Sequence, residues 1–202
     1  MKQTATIMFP EFSGTRCLMM PFIQGDPESV PSQYQKYSDI LSSLFLKKGD
    51  IGYLTIDECN VEQGSPQRAS RAKYARALHT EAGKDPNKTY HWGGNGGGWG
   101  KRHRVTLDAD VEILLANNLD NTCALWDAEH QDTSIDGDIG NFAEFYPYSS
   151  ATMMQAGEVF KIGILTPHES LPVSCNIDRQ FLRIVSSGVY GRENYFTKNP
   201  LL

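Results

Sequence analysis

From Asp110 onward the chain reads as short β-type segments separated by turn residues: VEILLA, TCALWDA, GEVFKIGIL and QFLRIVSS, with no helical pattern between them. Repeated short strands without intervening helices narrow the options to a sandwich or a barrel. The earlier segment IGYLTI, from Ile51 to Ile56, has the same β-branched and aromatic character. Only Ser29 to Leu46 departs from it. There Tyr34, Tyr37, Ile40, Leu41, Leu44 and Phe45 recur at steps of three and four, the spacing of one buried helical face. Lys48-Gly49-Asp50 closes that segment. The expected architecture is mainly β in an α+β arrangement, with a helix at about 29–46 buttressing a barrel at about 50–190. One all-β domain commonly uses a length of 202 residues, and no internal repeat is visible, so a single domain over 1–202 is expected.

Hydrophobic residues make up 40% of the chain and charged residues 21%, a globular and not a disordered composition. The formal charge of −5 comes without a basic stripe, Lys101 to Arg104 being the one cluster, so nucleic acid is not an expected partner. Cys17, Cys59, Cys123 and Cys175 lie far apart, with no CxxC pair and no signal-peptide pattern, which points to a reduced, cytoplasmic setting. Apolar runs such as Ile113 to Ala116 and Ile162 to Leu165 fall far short of the roughly 20 residues that span a bilayer, and no membrane association is expected.

Two stretches lack periodicity. Gln67 to Ala77 reads as a short helix or a loop, and KDPNKTYHWGGNGGGWGKRHR, from Lys84 to Arg104, as one long loop. Its glycines have neither the lysine-serine or lysine-threonine ending of a phosphate cradle nor the strand-to-helix setting of a dinucleotide site. Trp92 and Trp99 flank those glycines, an arrangement compatible with a closing lid.

Five histidines, at 79, 91, 103, 130 and 168, are the natural metal ligands of the chain. Two of them stand one residue from a carboxylate: His79-Thr80-Glu81 and His130-Gln131-Asp132. Residues i and i+2 of a strand share one face, so either pair can offer an imidazole and a carboxylate to one ion, with His168 completing three ligands and leaving the opposite side open. Between Glu81 and His168 lie 86 residues, ample for the strands of an oxygenase barrel, whereas the 35 between Asp132 and His168 suit a shorter cupin. Arg179 and Arg183, four apart in NIDRQFLRIVSS, fall on one side of a strand. A guanidinium turned into a small barrel must meet an anion, because an unpaired buried charge is costly. Ser170, Ser186 and Ser187 lack the glycine frame of a nucleophile elbow. The acidic run around DTSIDGDIG lacks the full spacing of a calcium loop.

The phrases AGEVFKIGILTPHESLPV and NIDRQFLRIVSS, taken with HTE, resemble the metal- and co-substrate-binding end of Fe(II)/2-oxoglutarate-dependent oxygenases, and also the second motif of cupins. The resemblance covers mainly residues 50 to 202 and implies a double-stranded β-helix, a jelly-roll or cupin-like barrel. It further implies that His79, Glu81 and His168 hold Fe(II) and that Arg179 grips the distal carboxylate of 2-oxoglutarate. Arg183 matches a second position used by some members for the co-substrate or an anionic substrate. Glutamate stands where most members carry aspartate, a departure shared by a clavaminate-synthase-like branch. The implied activity is oxidation of a C–H bond of a small polar molecule with molecular oxygen. The alternatives are a cupin-type metalloenzyme that uses no 2-oxoglutarate and a non-catalytic binding barrel.

Overall fold

Eleven residues, Ile51–Val61, form the longest strand, β3, and the sheet built on it positions everything else. The structure is a computed structural model and describes residues 1–68, 75–92, 105–132, 137–191 and 196–202. The other strands are β1 (Lys2–Thr6), β2 (Arg16–Ile23), β4 (Ala82–Lys84), β5 (Tyr90–Trp92), β6 (Thr106–Leu107), β7 (Glu112–Asn117), β8 (Cys123–Leu125), β9 (Thr152–Met153), β10 (Glu158–Gly163), β11 (His168–Ser170), β12 (Ile177–Val185) and β13 (Val189–Tyr190). They form three antiparallel sheets. The largest has six strands in the order β1-β10-β7-β12-β3-β2, and the smaller two run β11-β8-β9 and β13-β6-β5-β4. The fold is thus mainly β, as expected, but among the described residues the sheets do not close into one barrel.

Strand alternation divides the large sheet into two apolar faces. On one, Tyr53, Ile113, Leu115, Phe160, Ile162 and Val185 pack against Val105 and against Leu107, Cys123 and Leu125 of the smaller sheets. On the other, Leu54, Ile56, Leu114, Ala116, Leu182 and Ile184 receive Tyr34, Tyr37, Ile40, Leu41 and Leu44. A third cluster, Leu78, Ala124, Trp126 and Ile139, lies on the far side of β8 and β11, covered by Phe142, Ala143 and Tyr146.

The helical element spans twelve residues rather than the eighteen expected: a 3₁₀ segment at Ser32–Tyr37 runs into α1 (Ser38–Ser43). Pro31 and Leu44 at its ends have extended backbones, and Pro27–Ser29 forms a separate 3₁₀ turn capped by Asp26. Because α1 stops at Ser43, Phe45 falls off the apolar face and is exposed. The expected loop at 84–104 is partly a hairpin: β4 and β5 pair across Asp85–Thr89, with Lys88 at φ 65° in the turn. Residues 93–104, including Trp99 and His103, and residues 69–74 lie outside the described residues, so the lid and the short helix expected there do as well. All four cysteines are free thiols. No described helix is long and apolar enough to cross a membrane.

Candidate metal centre

The extended segment entering β4 runs alongside β11, and His79 and His168 are direct backbone partners. The N–H of His79 donates to His168 O at 3.0 Å, and the N–H of His168 donates to His79 O at 2.9 Å. Residues opposed in this way project to the same side, and the two imidazole centroids lie 4.1 Å apart. Alternation then sorts the neighbours. Glu81 and Ser170 follow the histidines to the inside, while Leu78 and Glu169 face outward. The other edge of the segment is tied to Gly137, whose carbonyl accepts the Thr80 N–H at 2.8 Å and also the Thr80 hydroxyl.

His79 Nδ1 lies 2.6 Å from Ala77 O and His168 Nδ1 lies 2.9 Å from Thr166 O. A carbonyl can only accept, so each Nδ1 carries the proton, and in the neutral ring Nε2 keeps its lone pair. Burial pushes the His79 pKa well down, helped by the charges of Arg68 and His168, so its neutral form is favoured. Glu81 is 2% exposed. Burial alone would raise its pKa, but the Arg183 charge and its interaction with His168 outweigh it and hold the carboxyl well below the usual range. Arg183 Nη1 donates to Glu81 Oε1 at 2.7 Å, and His168 Nε2 lies 3.6 Å from the same oxygen. Glu81 Oε2 is buried with no hydrogen-bond partner.

Arg179 and Arg183 share the inner face of β12, as their spacing implied. Arg179 is 2% exposed and donates to Ser170 Oγ at 2.8 Å and to Thr122 O at 3.1 Å. Its Nε has no partner, and among the described residues its guanidinium makes no ion pair. Arg183 stacks under the Trp92 ring, 4.7 Å from guanidinium carbon to centroid.

The second expected pairing is not gathered around His168. His130 is turned into an aromatic pocket, its Nδ1 2.7 Å from the Tyr146 hydroxyl and its ring 4.7 Å from Phe142, while Asp132 is exposed. Asp136, from the acidic run, lies outside the described residues. Trp126 is a core residue whose Nε1–H donates to Pro147 O.

An Fe(II) ion implied by the resemblance finds suitable donor chemistry: two imidazoles with Nδ1 anchored on carbonyls, and a buried carboxylate oxygen without a partner. The arrangement is not closed on an ion. Among the described residues, no three His, Cys, Asp or Glu side chains already stand as a ready-made metal site. The Glu81 carboxylate leans instead on Arg183.

Sequence reasoning missed three participants. Ser170 was legible as the residue two after His168 on the same strand face. Gly137 and Arg68 gave no signal, because only the folded chain brings them to residues 79–81. No protein-family description, no curated protein and no solved structure matches the chain.

Proposed function

We propose that the protein is a non-haem Fe(II), 2-oxoglutarate-dependent oxygenase acting on a C–H bond of a small polar molecule. The carrying observation is that His79 and His168 pair directly on one inner face, each with Nδ1 anchored on a carbonyl, while His168 Nε2 lies 3.6 Å from Glu81 Oε1 and Glu81 Oε2 has no partner. A large sheet packed on two smaller ones supports a double-stranded β-helix description of the fold. When bound, iron together with 2-oxoglutarate and molecular oxygen supplies the oxidising power for C–H cleavage.

The chain's own residues do the holding. His79, Glu81 and His168 are the ligands, each imidazole oriented by a backbone carbonyl. Arg179 has the chemistry to grip the distal carboxylate. A buried guanidinium with no carboxylate against it is costly, and an incoming carboxylate relieves that cost through charge-assisted bonds, with the Ser170 hydroxyl beside it. Arg183, in contrast, is already engaged by Glu81, which moves it from direct co-substrate binding toward the metal ligand.

The test is anaerobic titration of the metal-free protein with Fe(II) and then 2-oxoglutarate, following the weak visible charge-transfer band of the chelate. A band in wild type that is absent in His168→Ala supports the reading. Iron binding without a band favours the cupin-type reading, in which the bonds from Arg179 to Ser170 and Thr122 are purely structural. No binding leaves a non-catalytic barrel.

A further inference from the structure

The strand pairing that aligns the two imidazoles stops one rung short. His79 and His168 exchange both backbone bonds, and in an antiparallel ladder the next such pair would be Ala77 and Ser170. Among the described residues that rung is not made. Side chains take its place at Ala77: its N–H donates to Glu169 Oε1 at 3.1 Å, and its carbonyl accepts from His79 Nδ1 at 2.6 Å. Gly137 to Ile139 bond to the backbone of residues 78 to 80 from the other edge, and none of the three bonds to Ala77. Glu169 is 4% exposed and lies on the outer face of β11, turned away from the imidazoles. Its second oxygen, Oε2, accepts from Arg76 Nε at 2.9 Å, Arg76 Nη2 at 2.7 Å and the Tyr148 hydroxyl at 3.1 Å. Arg76 is itself fixed: Nη1 donates to Ala143 O and Tyr146 O, and the guanidinium lies over the Tyr148 ring, 4.2 Å from its centroid. Charge-assisted bonds from a planar fork of donors hold a carboxylate in one orientation. His168 needs no such clamp. Its Nδ1 donates to Thr166 O inside a turn closed by Thr166 N–H to Gly163 O and Gly163 N–H to Thr166 Oγ1, both at 3.2 Å.

We propose that Glu169, clamped by Arg76 and Tyr148, is the positioning residue for His79: it fixes Ala77, whose carbonyl keeps the proton on Nδ1 and leaves the Nε2 lone pair for a ligand. The hydrogen bond at one ring nitrogen decides which nitrogen is offered at the other, so a loosely held Ala77 carbonyl would let the His79 ring turn or change tautomer. Glu169 acts through Ala77 and touches no ion. The two histidines are thus set by different means, His168 by its own turn and His79 by a carboxylate 92 residues away in the chain. The consequence for metal binding rests on the function proposed above, whereas the tautomer of His79 is a property of the metal-free protein.

The experiment reads both imidazoles in the isotope-labelled, metal-free full chain by long-range proton–nitrogen correlation NMR at neutral pH, which separates protonated from unprotonated ring nitrogens. In wild type, His79 and His168 should both carry the proton on Nδ1. Glu169→Gln keeps one acceptor oxygen but turns an NH2 group toward the Arg76 donors, so the clamp is lost. His79 should then become a mixture of tautomers while His168 stays as it was. Mn(II) affinity of the same variant, from the free-Mn(II) electron paramagnetic resonance signal, should fall by about 10- to 100-fold, the usual loss when a group that orients a metal-bound histidine is removed. An unchanged His79 tautomer in folded Glu169→Gln overturns the proposal, and so does an equal change in both histidines, the mark of general loosening. A shifted tautomer with unchanged Mn(II) affinity overturns the role in metal binding. If wild type shows no Mn(II) binding that His168→Ala removes, the metal reading fails, while the tautomer still decides whether Glu169 positions His79. Amide hydrogen exchange of wild type alone covers a variant that fails to fold: the Ala77 N–H should exchange as slowly as the His79 N–H, and fast exchange confined to Ala77 overturns the clamp.

Discussion

His79 and His168 hold each other's backbone N–H groups, so the two imidazoles are positioned by a strand pairing and not by side-chain packing alone. The geometry of the candidate centre therefore depends on what fixes the segment from His79 to Glu81 on its other edge, where Gly137 O accepts the Thr80 N–H and Asp138 bridges His79.

Gly137 sits at φ +69°, and a Cβ there would lie 2.4 Å from the Thr80 carbonyl oxygen. Gly137→Ala must move residue 137 off the segment, press the segment against β11 or rearrange the turn. The expected outcome is a loss of about 1–3 kcal/mol, from the forced left-handed conformation and the displaced hydrogen bonds. Urea unfolding measures the stability, and Mn(II) titration should show weakened binding in the fraction that stays folded.

Arg179 provides the test of co-substrate binding. Removing a charge-assisted pair costs about 1.5–3 kcal/mol, so Arg179→Ala should raise the half-saturating 2-oxoglutarate concentration by roughly 10- to 150-fold. Fe(II) affinity without 2-oxoglutarate should change little. An unchanged 2-oxoglutarate response would remove Arg179 from that role.

Acid sensitivity should arise on the opposite face of the large sheet. Glu58 is buried there, which alone would raise its pKa. Lys36 Nζ and the Tyr37 hydroxyl, both at 2.6 Å, and the backbone N–H groups of Ser13 and Thr15 outweigh burial and lower it from 4.5 to about 2. The folded-state value lies below the unfolded one. The stabilisation is therefore complete above about pH 4.5 and drains away as pH falls toward 2, up to about 3 kcal/mol in all. Glu58→Gln should be less stable at pH 7 and show a flatter stability profile between pH 4.5 and 2 in denaturant titrations.

Leu41 is fully buried between α1 and the large sheet. Leu41→Ala should cost about 2–5 kcal/mol, the usual range for a truncated core leucine. Because that face lies across the sheet from the proposed metal site, any Mn(II) affinity of the folded protein should be unchanged.

The candidate site was more legible than the edges of the fold. Period-two alternation was enough to put His79 and Glu81 on one face, and Arg179 and Arg183 on another strand's inner face, because both patterns are local. That Arg183 reaches Glu81 was not legible: alternation says which way a side chain points and nothing about which strand stands opposite. β1 escaped notice because its exposed residues show no apolar alternation, and β2 because RCLMMPFI carries methionines and a proline in place of β-branched residues. The ends of the helix were overrun because the apolar spacing continues through Leu44 and Phe45 after the backbone has left the helix.

The strand order of the large sheet has a kinetic consequence. β12 lies between β7 and β3, joining β1-β10-β7 on one side to β3-β2 on the other, yet it follows all of them in the chain. Until Ile177–Val185 docks, those two groups of strands have no shared partner, and neither Arg179 nor Arg183 has reached the interior. Pairings this distant along the chain make for slow closure. During synthesis, the candidate site can form only after the ribosome has released β12, so a nascent chain shorter than that would carry His79, Glu81 and His168 without the guanidinium that pairs with Glu81.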